Sequence, residues 1–173
     1  MQAPPSPREV TLRAIGVIHS PHTRAEETPI QPVYAQGCDG RAEVFSEYQE
    51  GLRDLDGFSH IYLIYHFHQT TAAQLIVKPF LDDSLRGVFA TRAPNRPNPI
   101  GFSLVRLVAA EGNVLHLDDV DVLDGTPLLD IKPFVERFDS RIGVRSGWQE
   151  QVDPEAARAR GRRLSGRGPK DAT

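Results

Sequence analysis

The densest hydrophobic run in the chain is residues 58–67, Phe-Ser-His-Ile-Tyr-Leu-Ile-Tyr-His-Phe. Apolar residues at nearly every position are typical of a strand that is covered on both faces. We therefore predict a central strand here. Shorter β-branched or alternating runs predict further strands at residues 10–19, 42–45, 87–91, 100–109, 114–120 (continuing to 123) and 128–131.

Helical patterns are short. Residues 46–55 suit a helix, with Ser46 as its N-cap and Gln49 three residues later, which is the spacing of a capping box. A second helix is predicted after Asp153, because a capping acid followed by proline favours a helix start. Gly161 is expected to end it.

The segment at residues 23–40 has little pattern and predicts a long ordered loop, with residues 30–33 as its most structured part. About seven short strands with few helices predict a mainly β fold. We expect a single-domain β-barrel with minor short helices.

The 173 residues are enough for one domain with its own core. A hydrophobic fraction of 39% and a charged fraction of 25% are ordinary for a folded protein and argue against disorder of the whole chain. We divide the chain into a flexible leader at 1–9, the barrel domain at 10–139 and a C-terminal extension at 140–173. No signal peptide pattern and no apolar run of membrane-spanning length are visible, so we expect a cytoplasmic protein with no membrane contact.

The C-terminal extension carries a basic tail. From Asp153 onwards six basic residues face three acids, whereas the rest of the chain has a net charge of −6. Such a tail on an acidic body is an electrostatic arm for a polyanion or a solvated, frayed terminus. The sequence alone leaves both interpretations open.

Residues 87–101 combine three prolines with two arginines and two asparagines between two apolar runs. Proline fixes the backbone angle φ, so these prolines give the loop a preset shape. Arginine and asparagine on a preset loop are hydrogen-bonding groups at defined positions. The loop is therefore a candidate recognition site, although a stiff connector has the same composition.

Several common sites have no support. The chain lacks the glycine-rich loops that bind dinucleotides or nucleoside triphosphates, and it lacks a nucleophile elbow. Its one cysteine, Cys38, cannot form an internal disulfide or a cysteine zinc cluster. His66 and His68, two apart on the predicted central strand, could hold a metal with a carboxylate, but no third ligand stands at a telling spacing, so we predict no metal site.

Two more polar segments follow or precede predicted strands: His68 with Gln69, and residues 124–127, Asp-Gly-Thr-Pro. With the proline-rich loop they could meet at one rim of a barrel, where such folds commonly bind ligands. Each could also be an ordinary turn. The residues alone thus predict a site without naming its reaction.

Four motifs in order give the chain a family resemblance. They are Ile-Gly-Val-Ile-His-Ser-Pro at 15–21, Gly-Leu-x-x-Leu-x-Gly-Phe-Ser-His at 51–60, the loop at 87–101 with Arg-x-x-x-Arg-Pro-Asn-Pro-Ile-Gly, and Asp-Gly-Thr-Pro-x-x-Asp-Ile-Lys-Pro at 124–133. Over residues 12–138 the chain resembles the TrmO (TsaA-like, YaeB-like) family. The longer bacterial members carry an additional C-terminal domain, where this chain has its short extension.

The resemblance implies S-adenosyl-L-methionine-dependent N6-methylation of N6-threonylcarbamoyladenosine at position 37, in the anticodon loop of a tRNA. It also implies a β-barrel homodimer. The alternative is a regulatory module of the same fold that binds S-adenosyl-L-methionine without methylating tRNA.

By matching positions, the resemblance also implies a set of cofactor-binding residues: Ile30, Gln31, Pro32, His68, Gln69, Arg92, Phe102, Leu123, Asp124, Gly125 and Thr126. For catalysis we predict that Asn98 accepts a hydrogen bond from the target nitrogen. Arg92 or Arg96 would hold the threonyl carboxylate or an RNA phosphate.

Overall fold

Six antiparallel strands close into a barrel in the computed structural model, which describes residues 9–163. Two further short strands pair with each other outside the barrel. The strands are β1 (Gly16–His19), β2 (Gly40–Val44), β3 (His60–His66), β4 (Ile76–Val77), β5 (Arg86–Gly87), β6 (Ile100–Glu111), β7 (Val114–Asp118) and β8 (Thr126–Pro133). The barrel order is β1-β2-β7-β6-β3-β8, which confirms the predicted mainly β barrel with minor helices.

β3 is central, as predicted, because it pairs with β6 on one side and with β8 on the other. The prediction that both its faces are covered is wrong. Ile61, Leu63 and Tyr65 point into the core, whereas Tyr62 and Ile64 between them are only half-buried. In a closed barrel one face of each strand lines the interior and the other faces outward, so the period of two survives even in a strongly apolar strand.

The strand predicted at residues 87–91 is wrong beyond Gly87. β5 stops there, and Val88–Ala90 form a single 3-10 turn. The amide and hydroxyl of Thr91 both donate to the carbonyl of Val88, at 3.1 and 2.9 Å, and so close the turn.

Residues 120–123 were predicted to continue β7, but they belong to no strand. Side chains replace the strand ladder there. The Val120 carbonyl lies 2.9 Å from Nε2 of His22, and the Val122 carbonyl accepts from Ser20 Oγ at 2.5 Å. The other strand bounds also differ: β1 begins only at Gly16, while β6 and β8 extend beyond their predicted ranges.

The helix predicted at residues 46–55 is two 3-10 segments, Ser46–Leu52 and Leu55–Gly57, separated where Asp54 adopts a φ of 66°. The predicted capping box is wrong, because Phe45 occupies the N-cap position and makes no side-chain bond there. The prediction that Asp153 caps the start of a helix is confirmed.

Asp153 accepts a hydrogen bond from the amide of Ala156 at 2.7 Å and starts the helix α2 (Pro154–Arg162). α1 (Glu136–Asp139) is a single turn. Gly161 does not end α2. It is buried against the Tyr34 ring, where an added Cβ would lie within 2.6 Å of Cε2.

The described part of the C-terminal extension packs back onto the barrel domain. Trp148 donates from its indole nitrogen to the Ala90 carbonyl at 2.8 Å, and the Arg163 guanidinium lies 3.7 Å from the centre of the Phe80 ring. A frayed terminus therefore does not describe the chain up to residue 163. Residues 1–8 of the predicted leader at 1–9 and the last basic residues, Arg167 and Lys170, lie outside the described residues.

The loop at residues 23–40 is ordered through two 3-10 turns, Ala25–Glu27 and Pro32–Tyr34, and through Ala35, which is fully buried. Among residues 9–163, no helix combines the length and the apolar character needed to span a bilayer.

Candidate functional site

A cleft of about 1420 Å³ is lined by residues of the barrel strands, of the loops that join them and of the C-terminal extension. The three polar segments that the sequence predicted to converge do meet there. His68 and Gln69 reach it from the end of β3, Arg92 to Asn98 from the loop before β6, and Leu123 and Thr126 from the start of β8. Ile30, Gln31 and Pro32 form part of the opposite wall.

The proline-rich loop is held in shape by Arg96. Its guanidinium donates to the carbonyls of Thr91 and Ala93, at 3.3 and 3.4 Å, so this half-buried side chain ties the loop to itself. Asn98 is exposed at the cleft, and its side-chain amide bonds to no other group within residues 9–163. Of the two predicted catalytic residues, Arg96 thus has structural bonds and Asn98 presents free hydrogen-bonding groups.

Arg92 links two walls of the cleft. Its guanidinium donates to the side-chain oxygen of Gln31 and lies 4.7 Å from the centre of the Phe102 ring. Phe102 is 45% exposed on the outer face of β6. A cation over an aromatic face is attracted to it, so Arg92 is held at the mouth of the cleft while its charge stays exposed.

Of the four residues at 123–126 that were predicted to bind the cofactor, two line the cleft and two do not. Leu123 and Thr126 line the cleft, and the Thr126 hydroxyl donates to the Leu123 carbonyl at 2.6 Å and lies 3.4 Å from Nδ1 of His68. Asp124 and Gly125 are not among the cleft-lining residues.

Asp124 accepts from the Ser20 amide at 3.1 Å, and Gly125, at a φ of 76°, donates from its amide to the Ile18 carbonyl at 2.9 Å. These two residues fasten the turn to β1. They therefore set the position of their neighbours instead of facing the cleft.

The wall at residues 30–32 rests on the C-terminal extension. The Ile30 amide donates to the Gly161 carbonyl at 3.0 Å, and Tyr34, directly after this wall, packs on Gly161 itself. Trp148 and Arg163 of the extension also line the cleft. Sequence reasoning assigned no site residue beyond residue 126, since nothing in the pattern shows that α2 folds back.

The most buried lining residues form the floor of the cleft: Tyr65, Asp121, Val122 and Thr126. Asp121 was missed by the sequence predictions. It is 7% exposed, and its Oδ1 is the buried side-chain atom that has no hydrogen-bond partner within the described residues. Burial raises the pKa of Asp121 to about 7, against the opposing effects of the Ser103 hydroxyl and, more weakly, the Arg92 charge.

The hydroxyl groups of Tyr65 and Ser103, near Asp121, are hydrogen-bonded to each other at 3.0 Å. Burial and the nearby Asp121 carboxyl raise the pKa of Tyr65, so its phenol stays protonated at neutral pH. An aspartate inside the apolar run at residues 120–123 was the one signal in the sequence that could have pointed to this floor.

The two histidines that were considered as metal ligands, His66 and His68, do not share one site. β3 ends at His66, so His68 lies beyond the strand, and only His68 lines the cleft. Within residues 9–163 no three histidine, cysteine or acidic side chains are grouped closely enough to hold a metal ion. Burial and the nearby Asp119 and Asp39 raise the pKa of Cys38, which keeps it a thiol.

The chain is similar in sequence to a known protein family and to several known proteins. Residues 17–140 match the family model of the tRNA-methyltransferase O N-terminal domain. A probable S-adenosyl-L-methionine-binding protein of Pyrococcus abyssi is 53% identical over 154 residues, covering 89% of this chain and 84% of the relative. The human tRNA (adenine(37)-N6)-methyltransferase is 35% identical over 137 residues, 75% of this chain but 31% of that enzyme.

The fold comparison agrees. The crystal structure of TrmO from Pseudomonas aeruginosa superposes with a TM-score of 0.69 at 37% identity, covering 84% of this chain and 64% of that one. This chain therefore spans less than two thirds of that solved structure and about a third of the human enzyme.

Proposed function

This chain belongs to the tRNA-methyltransferase O family, and we propose that it transfers a methyl group from S-adenosyl-L-methionine to N6 of adenosine 37 in a tRNA. The finer proposal is that the acceptor is N6-threonylcarbamoyladenosine. The observation that carries the proposed methyl transfer is the convergence of His68, Arg92 and Thr126, from three separated segments of the chain, on one cleft of about 1420 Å³. The compartment we propose is the cytoplasm.

The cleft residues suit this cofactor chemically. Apolar and aromatic side chains such as Ile30, Phe102 and Leu123 offer surfaces for a purine ring. The exposed guanidinium of Arg92 offers a partner for a carboxylate, and His68 and Gln69 add hydrogen-bonding groups. In this proposal Asp124 and Gly125 act indirectly, by holding Leu123 and Thr126 in place.

When bound, S-adenosyl-L-methionine supplies an electrophilic methyl group on a sulfonium. The chain contributes position: the loop clamped by Arg96 and the wall fixed on Gly161 hold the two reactants at a set distance. The buried floor excludes water beneath the reacting nitrogen.

Recognition of the acceptor is proposed to use the charged rim of the cleft. Lys78, Arg92, Arg96 and Arg163 line it. Lys78 is paired with Asp83 at 3.0 Å and Arg163 bonds to the Ala25 carbonyl at 2.5 Å, so Arg92 is the most available partner for the threonyl carboxylate or an RNA phosphate. Asn98, exposed beside it, would accept a hydrogen bond from the modified base.

A homodimer is also proposed, because large apolar side chains stand exposed near the cleft. Val33 is 65% exposed and Phe89 is 76% exposed. Light scattering should give twice the chain mass; a monomer at micromolar concentration would contradict a stable dimer.

The experiment for the function uses S-adenosyl-L-methionine labelled on its methyl group and two preparations of one tRNA, with and without threonylcarbamoylation of adenosine 37. We expect label only in the modified tRNA, on N6 of that nucleoside, as located by nuclease digestion and mass spectrometry. Equal labelling of both preparations would overturn the finer proposal. Heat stabilisation by the cofactor without any methyl transfer would favour a binding module.

The same assay tests the predicted roles on the loop. Asn98→Ala and Arg96→Ala should each lower methyl transfer at least tenfold, the second through loss of loop shape. Gln74→Ala, outside the lining of the cleft, is the control. Wild-type rates in both loop variants would remove these residues from the mechanism.

A further inference from the structure

Asp121 is the one floor residue whose buried polar atom has no partner within the described residues. The other polar side chains around it are engaged with the protein: the Thr126 hydroxyl with the Leu123 carbonyl, the Ser20 hydroxyl with the Val122 carbonyl, and the Ser103 hydroxyl with Tyr65 and with the Asp121 carboxyl, whose Oδ1 is left unpartnered. A buried carboxyl oxygen without a partner costs free energy in the folded protein. Because Asp121 lines a cleft, we expect a bound ligand to supply the hydrogen-bond partner that Oδ1 lacks.

We propose that Asp121 is the proton acceptor of the methyl transfer: its Oδ1 takes the N6 proton of the adenosine as the nitrogen is methylated. This inference rests on the proposed function. It names the general base that the loop residues cannot supply, because the amide of Asn98 accepts a hydrogen bond but does not become protonated near neutral pH. Arg96 is a cation and accepts no proton.

The step balances. The N6 lone pair forms the new bond to the methyl carbon while the carbon–sulfur bond breaks, and its electron pair stays on sulfur as a neutral thioether. The N6–H bond breaks and its proton moves to the Asp121 carboxylate, which becomes a carboxylic acid. Release of the products opens the floor to water, to which the proton passes.

The surroundings of Asp121 give its carboxyl a pKa that suits a proton acceptor near neutral pH. Burial holds its pKa at about 7, far above that of a carboxylate in water, so the group is basic enough to accept a proton and still largely ionised at slightly alkaline pH. The charged and titratable groups whose influence reaches Asp121 are Arg92 and Tyr65. The other titratable groups that line the cleft are Glu26, Tyr34, His60, Tyr62, His68, Lys78, Arg96, Asp119 and Arg163.

Asp121→Asn tests the assignment, since asparagine keeps the volume and a hydrogen-bonding oxygen but cannot take the proton. We expect methyl transfer at saturating cofactor and tRNA to fall about 100-fold or more, with cofactor affinity by calorimetry within about threefold of wild type. The wild-type rate should rise with pH through about 7 and then level off. The variant should lose that rise.

Asp130→Asn is the matched control. Asp130 lies on β8 outside the lining of the cleft, and its carboxylate has partners of its own, the Lys132 ammonium at 2.8 Å and the Ile131 amide at 2.9 Å. Its rate and pH profile should match those of wild type.

The outcomes separate the two proposals. A wild-type protein that methylates no tRNA overturns the function and the assignment together. An active wild type with an equally active Asp121→Asn variant, or with the same pH rise in both, overturns only the assignment. A variant that loses cofactor affinity tenfold but transfers at the full rate when saturated also overturns it, because Asp121 would then hold the cofactor.

Discussion

Replacing Gly161 with valine should weaken the binding of S-adenosyl-L-methionine by about a hundredfold while the barrel stays folded. Gly161 is buried in α2, and any side chain there would overlap the Tyr34 ring. Its carbonyl accepts the hydrogen bond from Ile30 that anchors the wall at residues 30–32. A valine pushes Tyr34 and this wall away from α2.

The magnitude follows from chain entropy. Once released, residues 30–32 must be ordered again by the cofactor, at about 1–2 kcal/mol for each residue. Three residues then cost about 3 kcal/mol or more, which corresponds to about a hundredfold in affinity. The barrel core, formed by residues such as Ile61, Val105 and Leu115, lies elsewhere and keeps the strands together.

Calorimetric titration with the cofactor measures the effect. Ala159→Val, two residues earlier on an exposed position of the same helix, is the matched control because it changes helix propensity without touching Tyr34. If the Gly161 and Ala159 variants bind the cofactor equally well, the extension does not support the cofactor wall.

Acidification should stabilise the wild-type protein relative to Asp121→Asn, by up to about 4 kcal/mol between pH 7.5 and pH 4. The carboxyl of Asp121 has a pKa of about 7 in the folded protein and an ordinary value of 3.8 in the unfolded chain. Between these values the folded state holds a proton that the unfolded state does not, so protonation favours folding. The stability is present below about pH 4 and is lost as the pH rises through about 7.

Chemical denaturation at several pH values measures this difference. Burial also lowers the pKa of His22, which acts in the opposite direction, but His22 is common to both proteins and cancels in the comparison. Parallel stability curves for wild type and Asp121→Asn would contradict a buried, proton-binding carboxyl. This test needs no activity and no ligand.

The barrel was predictable because its strands carry strong local signals. The dense run around Ile61 and Leu63 predicted the central strand, and the apolar pattern at residues 100–109 and 114–120 predicted strands where β6 and β7 lie. What failed depended on side chains far away in sequence. Residues 120–123 look like a strand, but bonds from Ser20 and His22 hold their carbonyls instead of a neighbouring strand.

The sequence predicted which segments form the cleft but not which of their residues face it. The motifs located the loops, and those loops do meet, but the motifs could not separate residues that face the cleft from residues that hold it. Arg96 bonds within its own loop, and Asp124 is turned toward Ser20. Asp121 escaped notice because it lies in an apolar run, and its isolation from partners exists only after folding.

A crystal structure of the protein with S-adenosyl-L-methionine tests the central claim most directly, since it locates the cofactor without reference to activity. We expect the cofactor in the cleft, in contact with residues 30–32, with His68 and with Leu123, and Oδ1 of Asp121 open toward its methyl group. A cofactor bound outside this cleft, with no contact to residues 30–32, His68 or Leu123, would contradict the account.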